Sequence, residues 1–78
     1  IPAPVYNHSY SAELNSNVSK VVALFNSTIK TRLINSGLDL IDVYNFTISA
    51  DGFSNQIFHI DNHHLGASAI PEIEAQVN

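Results

Sequence analysis

The chain contains no cysteine, and that absence is the first constraint on what its 78 residues can do. No disulfide can staple so small a domain, and no cysteine-based zinc site can form. Basic residues are nearly as scarce: three Lys and Arg stand against seven Asp and Glu, for a net charge of −4. So acidic a balance argues against nucleic acid as the partner. No apolar run approaches the roughly 20 residues that span a bilayer. Also missing are a Gly-x-Ser-x-Gly block and any Gly-Asp-Ser block, so no serine nucleophile motif is present.

What the chain does have is enough apolar residue, 45%, to exclude a disordered tail. It opens on Ile1-Pro2-Ala3-Pro4, with neither an initiator Met nor the pattern of a signal peptide. A product of cleavage within a longer precursor is expected from that. Four Asn-x-Ser/Thr sequons, at Asn7, Asn17, Asn26 and Asn45, point to a secreted, extracellular glycoprotein carrying N-linked glycans. An Asn- and Ser-rich surface without sugar is the plainer alternative.

Residues 1–9 read as an extended, proline-bearing lead-in. From Tyr10 to Ser36 the pattern is helical: Leu14, Val18, Val21, Val22, Phe25, Ile29 and Leu33 recur at three- and four-residue steps and define one apolar stripe. Ser9 or Ser11 can cap its start, and Gly37 sits where a left-handed residue would end it. Leu38 to Tyr44, rich in β-branched and aromatic residues, predicts a strand. The stretch from Asn45 to Gln56 is irregular, with an Asp51-Gly52 turn signal. A brief extended piece, Ile57 to Ile60, leads into an Asp/His loop. Leu65, Ala69, Ile73 and Val77 then suggest a terminal helix, with Ser68 as N-cap and Pro71 in the first turn. A lone strand between helices leaves its backbone groups without partners, so the strand is expected to join a parallel α/β sheet completed by a second polypeptide.

The most chemical stretch is Phe58-His59-Ile60-Asp61-Asn62-His63-His64-Leu65, which gathers an acid and three of the four histidines. An Asp three residues before a His on one loop makes a general base with its orienting carboxylate. From Leu14 to Val77 the order of elements, with Val21-Val22-Ala23-Leu24-Phe25-Asn26, Leu40-Ile41-Asp42-Val43-Tyr44 and Asp61-Asn62-His63-His64-Leu65, resembles the C-terminal quarter of a GDSL-type SGNH esterase/lipase. Ile1-Pro2-Ala3-Pro4 is similar to the end of the proline-rich loop before that helix.

The resemblance implies a three-layer α/β/α, flavodoxin-like fold. Residues 1–78 would be the C-terminal part of one hydrolase domain, supplying a long helix, one parallel strand, the Asp/His loop and a closing helix. It implies a serine ester hydrolase of carboxylesterase, lipase or acetylesterase type, with His64 as general base and Asp61 as its orienting carboxylate. No metal or cofactor is implied. The serine and oxyanion donors would come from the N-terminal chain of the same precursor, acting on an ester substrate. Two departures stand out: Asn62 replaces a common Gly, and His63 is itself a histidine beside the base.

Several alternatives remain at this stage. His63 could be the base, with His64 structural. His59, Asp61, His63 and His64 could bind zinc or copper. The chain could be a non-catalytic secreted module whose long helix docks on a partner. His59 and Arg32 are assigned structural roles, and His8 is expected to face solvent. Asp39 and Asp42, on opposite faces of the expected strand, would not form a catalytic pair.

Overall fold

A computed structural model of the protein describes residues 1–77. Its dominant element is helix α1, Ala12–Asn35. Ser11, in an extended conformation, accepts from the Leu14 amide at 3.0 Å and so caps the start. At the other end Gly37 takes φ +74°, its N–H donates to Ile34 O at 3.1 Å, and Leu38 N–H donates to Leu33 O at 2.9 Å. That pair of bonds is a Schellman closure, which is why the helix stops where the sequence places a glycine. The C-terminal element is smaller than its spacing suggests. A 3₁₀ turn, Ala67–Ala69, runs into α2, Ile70–Glu74. Pro71 lies in the first turn of α2 as expected, but Ser68 lies inside the 3₁₀ turn and caps nothing.

The expected three-layer α/β/α fold is overturned. Among the described residues there is no sheet, only the isolated bridges Ile48–Ser54 and His59–Leu65. Leu38–Tyr44 is not a strand. The chain runs irregularly through 38–42 and then turns, Tyr44 O accepting from both Thr47 N–H at 3.1 Å and Ile48 N–H at 3.0 Å. The reason lies in pairing: β-branched and aromatic residues favour a pleated surface only when neighbouring strands are there to pack on. Here a side chain substitutes for a strand. The Gln76 amide accepts from Asp42 N–H at 2.7 Å and donates to Asp42 O at 3.0 Å, so Asp42 is paired on both backbone groups.

Side-chain pairing recurs throughout. Asn15, in α1 and almost fully buried, accepts from Asn7 N–H at 3.0 Å and donates to Asn7 O at 3.0 Å. Thr47, wholly buried, accepts from Ala3 N–H at 2.9 Å and lies 2.6 Å from Val43 O. Ser54 N–H donates to Pro4 O at 2.7 Å, and Asn26 Oδ1 accepts from the Ile1 amine at 2.7 Å. These bonds pin the lead-in between α1 and the loops. Ser19 Oγ donates to Gly52 O at 2.7 Å; Gly52 has φ +88°, and a Cβ there would stand 2.8 Å from that hydroxyl.

The apolar residues are arranged less favourably. Only Ala3 and Ala69 are buried among the hydrophobic residues described. The expected stripe on α1 is split: Val18, Val22, Ile29 and Leu33 are half-buried, whereas Leu14, Val21 and Phe25 are exposed. The face α1 turns toward the rest of the chain combines half-buried Val22, Ile29 and Leu33 with the polar flank Asn15, Ser19 and Asn26. The accessible surface is 5456 Å². A folded monomer of this mass exposes about 4,700 Å².

Since Thr47 joins the lead-in to the 43–47 turn, Thr47→Val strands Ala3 N–H in a buried site. The expected cost is about 1–3 kcal/mol, with Thr47→Ser costing less. Urea unfolding followed by circular dichroism measures both, and equal stability of Thr47→Val and the parent chain would contradict this role.

Candidate functional site: an Asp–His pair at a hairpin tip

Residues 58–66 form a narrow hairpin. Gly66 N–H donates to Phe58 O at 2.8 Å, Ile60 N–H donates to His64 O at 3.0 Å, and His59 and Leu65 bridge antiparallel between them. A Cβ at Gly66 would lie 2.5 Å from Ile60 Cγ2, so a larger residue there would push the exposed Ile60 side chain aside. The Phe58 ring meets Phe46 edge-on, centroids 5.0 Å apart, tying the hairpin to the preceding loop.

At the tip, Asp61 Oδ1 accepts from His63 N–H and His64 N–H, each at 2.7 Å. The carboxylate thus closes the three-residue loop, as Asp commonly does two or three residues ahead of a turn. The same carboxylate meets the His64 ring: Nδ1 lies 2.9 Å from Oδ2 and 3.1 Å from Oδ1. An ionised carboxylate can only accept, so the contact suits a proton on Nδ1, and in the neutral ring Nε2 is then the bare nitrogen. The His63 backbone bond, then the His64 ring and the His64 backbone bond, hold Asp61 down at about 2. Both side chains are open to solvent, His64 at 71% and Asp61 at 50%.

The neighbouring histidines are separated by partner. His63, the alternative base, makes no bond to the Asp61 carboxylate through its ring, which stands edge-on to that of His64 at 6.4 Å. His59 faces the other way: its Nδ1 is 2.7 Å from Ser54 Oγ, which also accepts from Gln56 N–H at 2.9 Å. Burial lowers the His59 pKa, with the Asp61 charge opposing. The neutral ring can therefore accept the Ser54 proton at Nδ1. Ser54 is 7% exposed, and Gln56 beside it takes φ +61°. Nothing in the sequence pattern marks this Ser54–His59 pair, whose hydroxyl also takes the N–H of a left-handed residue that is not a glycine.

Among the described residues no group of three or more His, Asp or Glu side chains is placed to hold a metal ion, so the metal-binding alternative has no geometric support. Asp42 lies 3.8 Å from Lys30 and accepts from Asn45 N–H at 2.9 Å; it serves the turn, on no strand. Of the sequon asparagines, Asn17 and Asn45 are exposed, Asn7 accepts from Ser9 N–H, and Asn26 uses both ends of its amide on Val22 O and Ile1. No helix among the described residues is long and apolar enough to cross a membrane. Compared with known proteins, the chain matches no family model, no curated sequence and no solved structure.

In chemical terms the tip is a positioned base without its acid partner. A hydroxyl brought to His64 Nε2 would lose its proton to a ring already oriented, and Asp61 would stabilise the resulting imidazolium. The pH dependence of the hairpin follows from Asp61. Its pKa is below the ordinary 3.8, so its contribution to the fold is complete above that value and is lost as pH falls toward about 2. A carboxyl titration by NMR is expected to show a depressed midpoint, with the His63 and His64 amide signals moving in step. An ordinary midpoint would contradict the two backbone bonds.

Proposed function

We propose that this chain supplies the Asp–His part of a Ser–His–Asp serine ester hydrolase, related to the GDSL-type SGNH esterases and lipases, and that another polypeptide brings the serine. The observation that carries the proposal is the contact of His64 Nδ1 with an Asp61 carboxylate anchored by two backbone amides. It fixes the tautomer that a serine-activating base needs.

In the assembled enzyme the serine Oγ attacks the ester carbonyl while its proton passes to His64 Nε2. Collapse of the tetrahedral intermediate releases the alcohol, which takes that proton, and leaves an acyl-serine. Water, deprotonated by the same nitrogen, then cleaves the acyl-serine to the acid. Donors for the oxyanion belong with the serine, on the N-terminal chain of a common precursor. The hairpin offers that chain an apolar collar, with Ile57 68% and Ile60 72% exposed beside the pair. Covering them would also remove water from His64, 71% exposed here, and strengthen its contact with Asp61. Secretion and N-glycosylation go with this proposal through the sequons, and Asn45, exposed in a turn, is the best placed to carry sugar.

One observation favours a non-catalytic module instead: the pair is solvent-exposed, and among the described residues no hydroxyl reaches His64 Nε2. Activity separates the two. With the serine chain present, His64→Ala is expected to lower kcat by about 10⁴-fold or more while the chains stay associated. A fluorophosphonate is expected to label the other chain, and mass spectrometry of the two chains reads both the label and any glycan. Unchanged hydrolysis in His64→Ala, or label on this chain, would overturn the proposal.

A further inference from the structure

Between the lead-in, α1 and the hairpin lies an open cavity of about 410 Å³, a size typical of small-molecule sites. Its inner wall is apolar: Pro2, Ala3, Pro4, Val5 and Val18 line it, all buried or half-buried. Its rim is polar and exposed, formed by Tyr10, Asn62 and His63. The wall is held in place by the fold itself. Ala3 N–H is bonded to Thr47, Pro4 O to Ser54 N–H, and both backbone groups of Asn7 to Asn15. Two prolines stiffen the segment between these anchors, so little freedom is left for a ligand to remove.

The wall also defines what fits. Among the described residues no Asp, Glu, Lys or Arg lines the cavity, in a chain that carries seven acidic and three basic residues. The Ile1 amine is bonded to Asn26, which lines a separate cavity. A charged group entering here would give up its hydration and meet no opposite charge. Two polar side chains stand on the half-buried part of the wall, Asn7 and His59. Asn7 has its side-chain oxygen engaged by Ser9 N–H. His59 is engaged at Nδ1 alone, by Ser54 Oγ. Ser54 does not line the cavity, so the ring presents another edge to it. In the neutral tautomer that accepts from Ser54, that edge carries Nε2–H, and no acceptor among the described residues takes it.

We propose that this cavity binds an uncharged small molecule with an apolar body and one carbonyl group. The carbonyl accepts from His59 Nε2–H, and the body lies on Pro2, Pro4, Val5 and Val18. Apolar contact supplies the affinity, and the single donor fixes the orientation. Binding needs neither the serine nor turnover, so it stands apart from the esterase proposal.

An NMR titration of the isotope-labelled 78-residue chain with methyl pentyl ketone tests this. A ketone serves because no esterase cleaves it. Saturable shifts are expected at Val5, Val18 and the His59 ring, with a Kd of about 1 mM for a ligand of this size. Hexanoate and hexylammonium, of similar length, are expected to bind about tenfold more weakly or less. His59→Phe removes the donor and Val18→Phe fills the cavity. Each is expected to weaken ketone binding about tenfold, with helicity by circular dichroism unchanged. Absence of saturable shifts at these residues in the parent chain would overturn the proposal. So would equal binding of hexanoate or hexylammonium, or undiminished ketone binding in either variant.

Discussion

A chain that buries backbone without forming a sheet must find other partners for its N–H and C=O groups, and this necessity shapes the whole molecule. Four side chains meet it. Asn15 pairs both backbone groups of Asn7, Gln76 pairs both of Asp42, Thr47 takes the Ala3 amide, and Asp61 takes the His63 and His64 amides. The first three fix the lead-in and the 38–47 segment against α1 and the C-terminus. The last fixes the hairpin tip, and there the structural solution becomes a chemical one.

Asp61 has more acceptor capacity than two amides consume. What remains is turned on His64 Nδ1, so one carboxylate both closes the loop and chooses the tautomer of the ring beside it. Ser54 gives His59, at the hairpin's base, a comparable anchor, a hydroxyl in place of a carboxylate, from which a neutral ring can accept. The two imidazoles therefore differ in kind. His59 is half-buried with Nδ1 occupied by a hydroxyl, whereas His64 is exposed with Nε2 free. Only the second can meet an outside group as a base.

Much of this was legible in the residue pattern where local rules suffice. Ser11 and Gly37 bracket α1 because capping is a matter of neighbouring residues, and Pro71 marks the first turn of α2 for the same reason. The spacing of Asp61 and His64 suits a short loop, and they do meet; His63, one residue nearer, gives the carboxylate its backbone N–H and not its ring. Leu38–Tyr44 was not legible. Its composition describes a strand that could exist beside others, and among the described residues there are none. The face of α1 that turns inward was also hidden. Apolar periodicity names the stripe a helix wants to bury, but here Asn15, Ser19 and Asn26 decide what it packs on.

Asp61 selects the tautomer of the neutral His64 ring. Two-bond proton–nitrogen NMR correlations of the His64 imidazole at neutral pH test it most directly. The expected result is a neutral ring with its proton on Nδ1 in the parent chain, reverting toward the Nε2–H tautomer in Asp61→Asn. A His64 ring already in the Nε2–H form, with Asp61 intact, would contradict it.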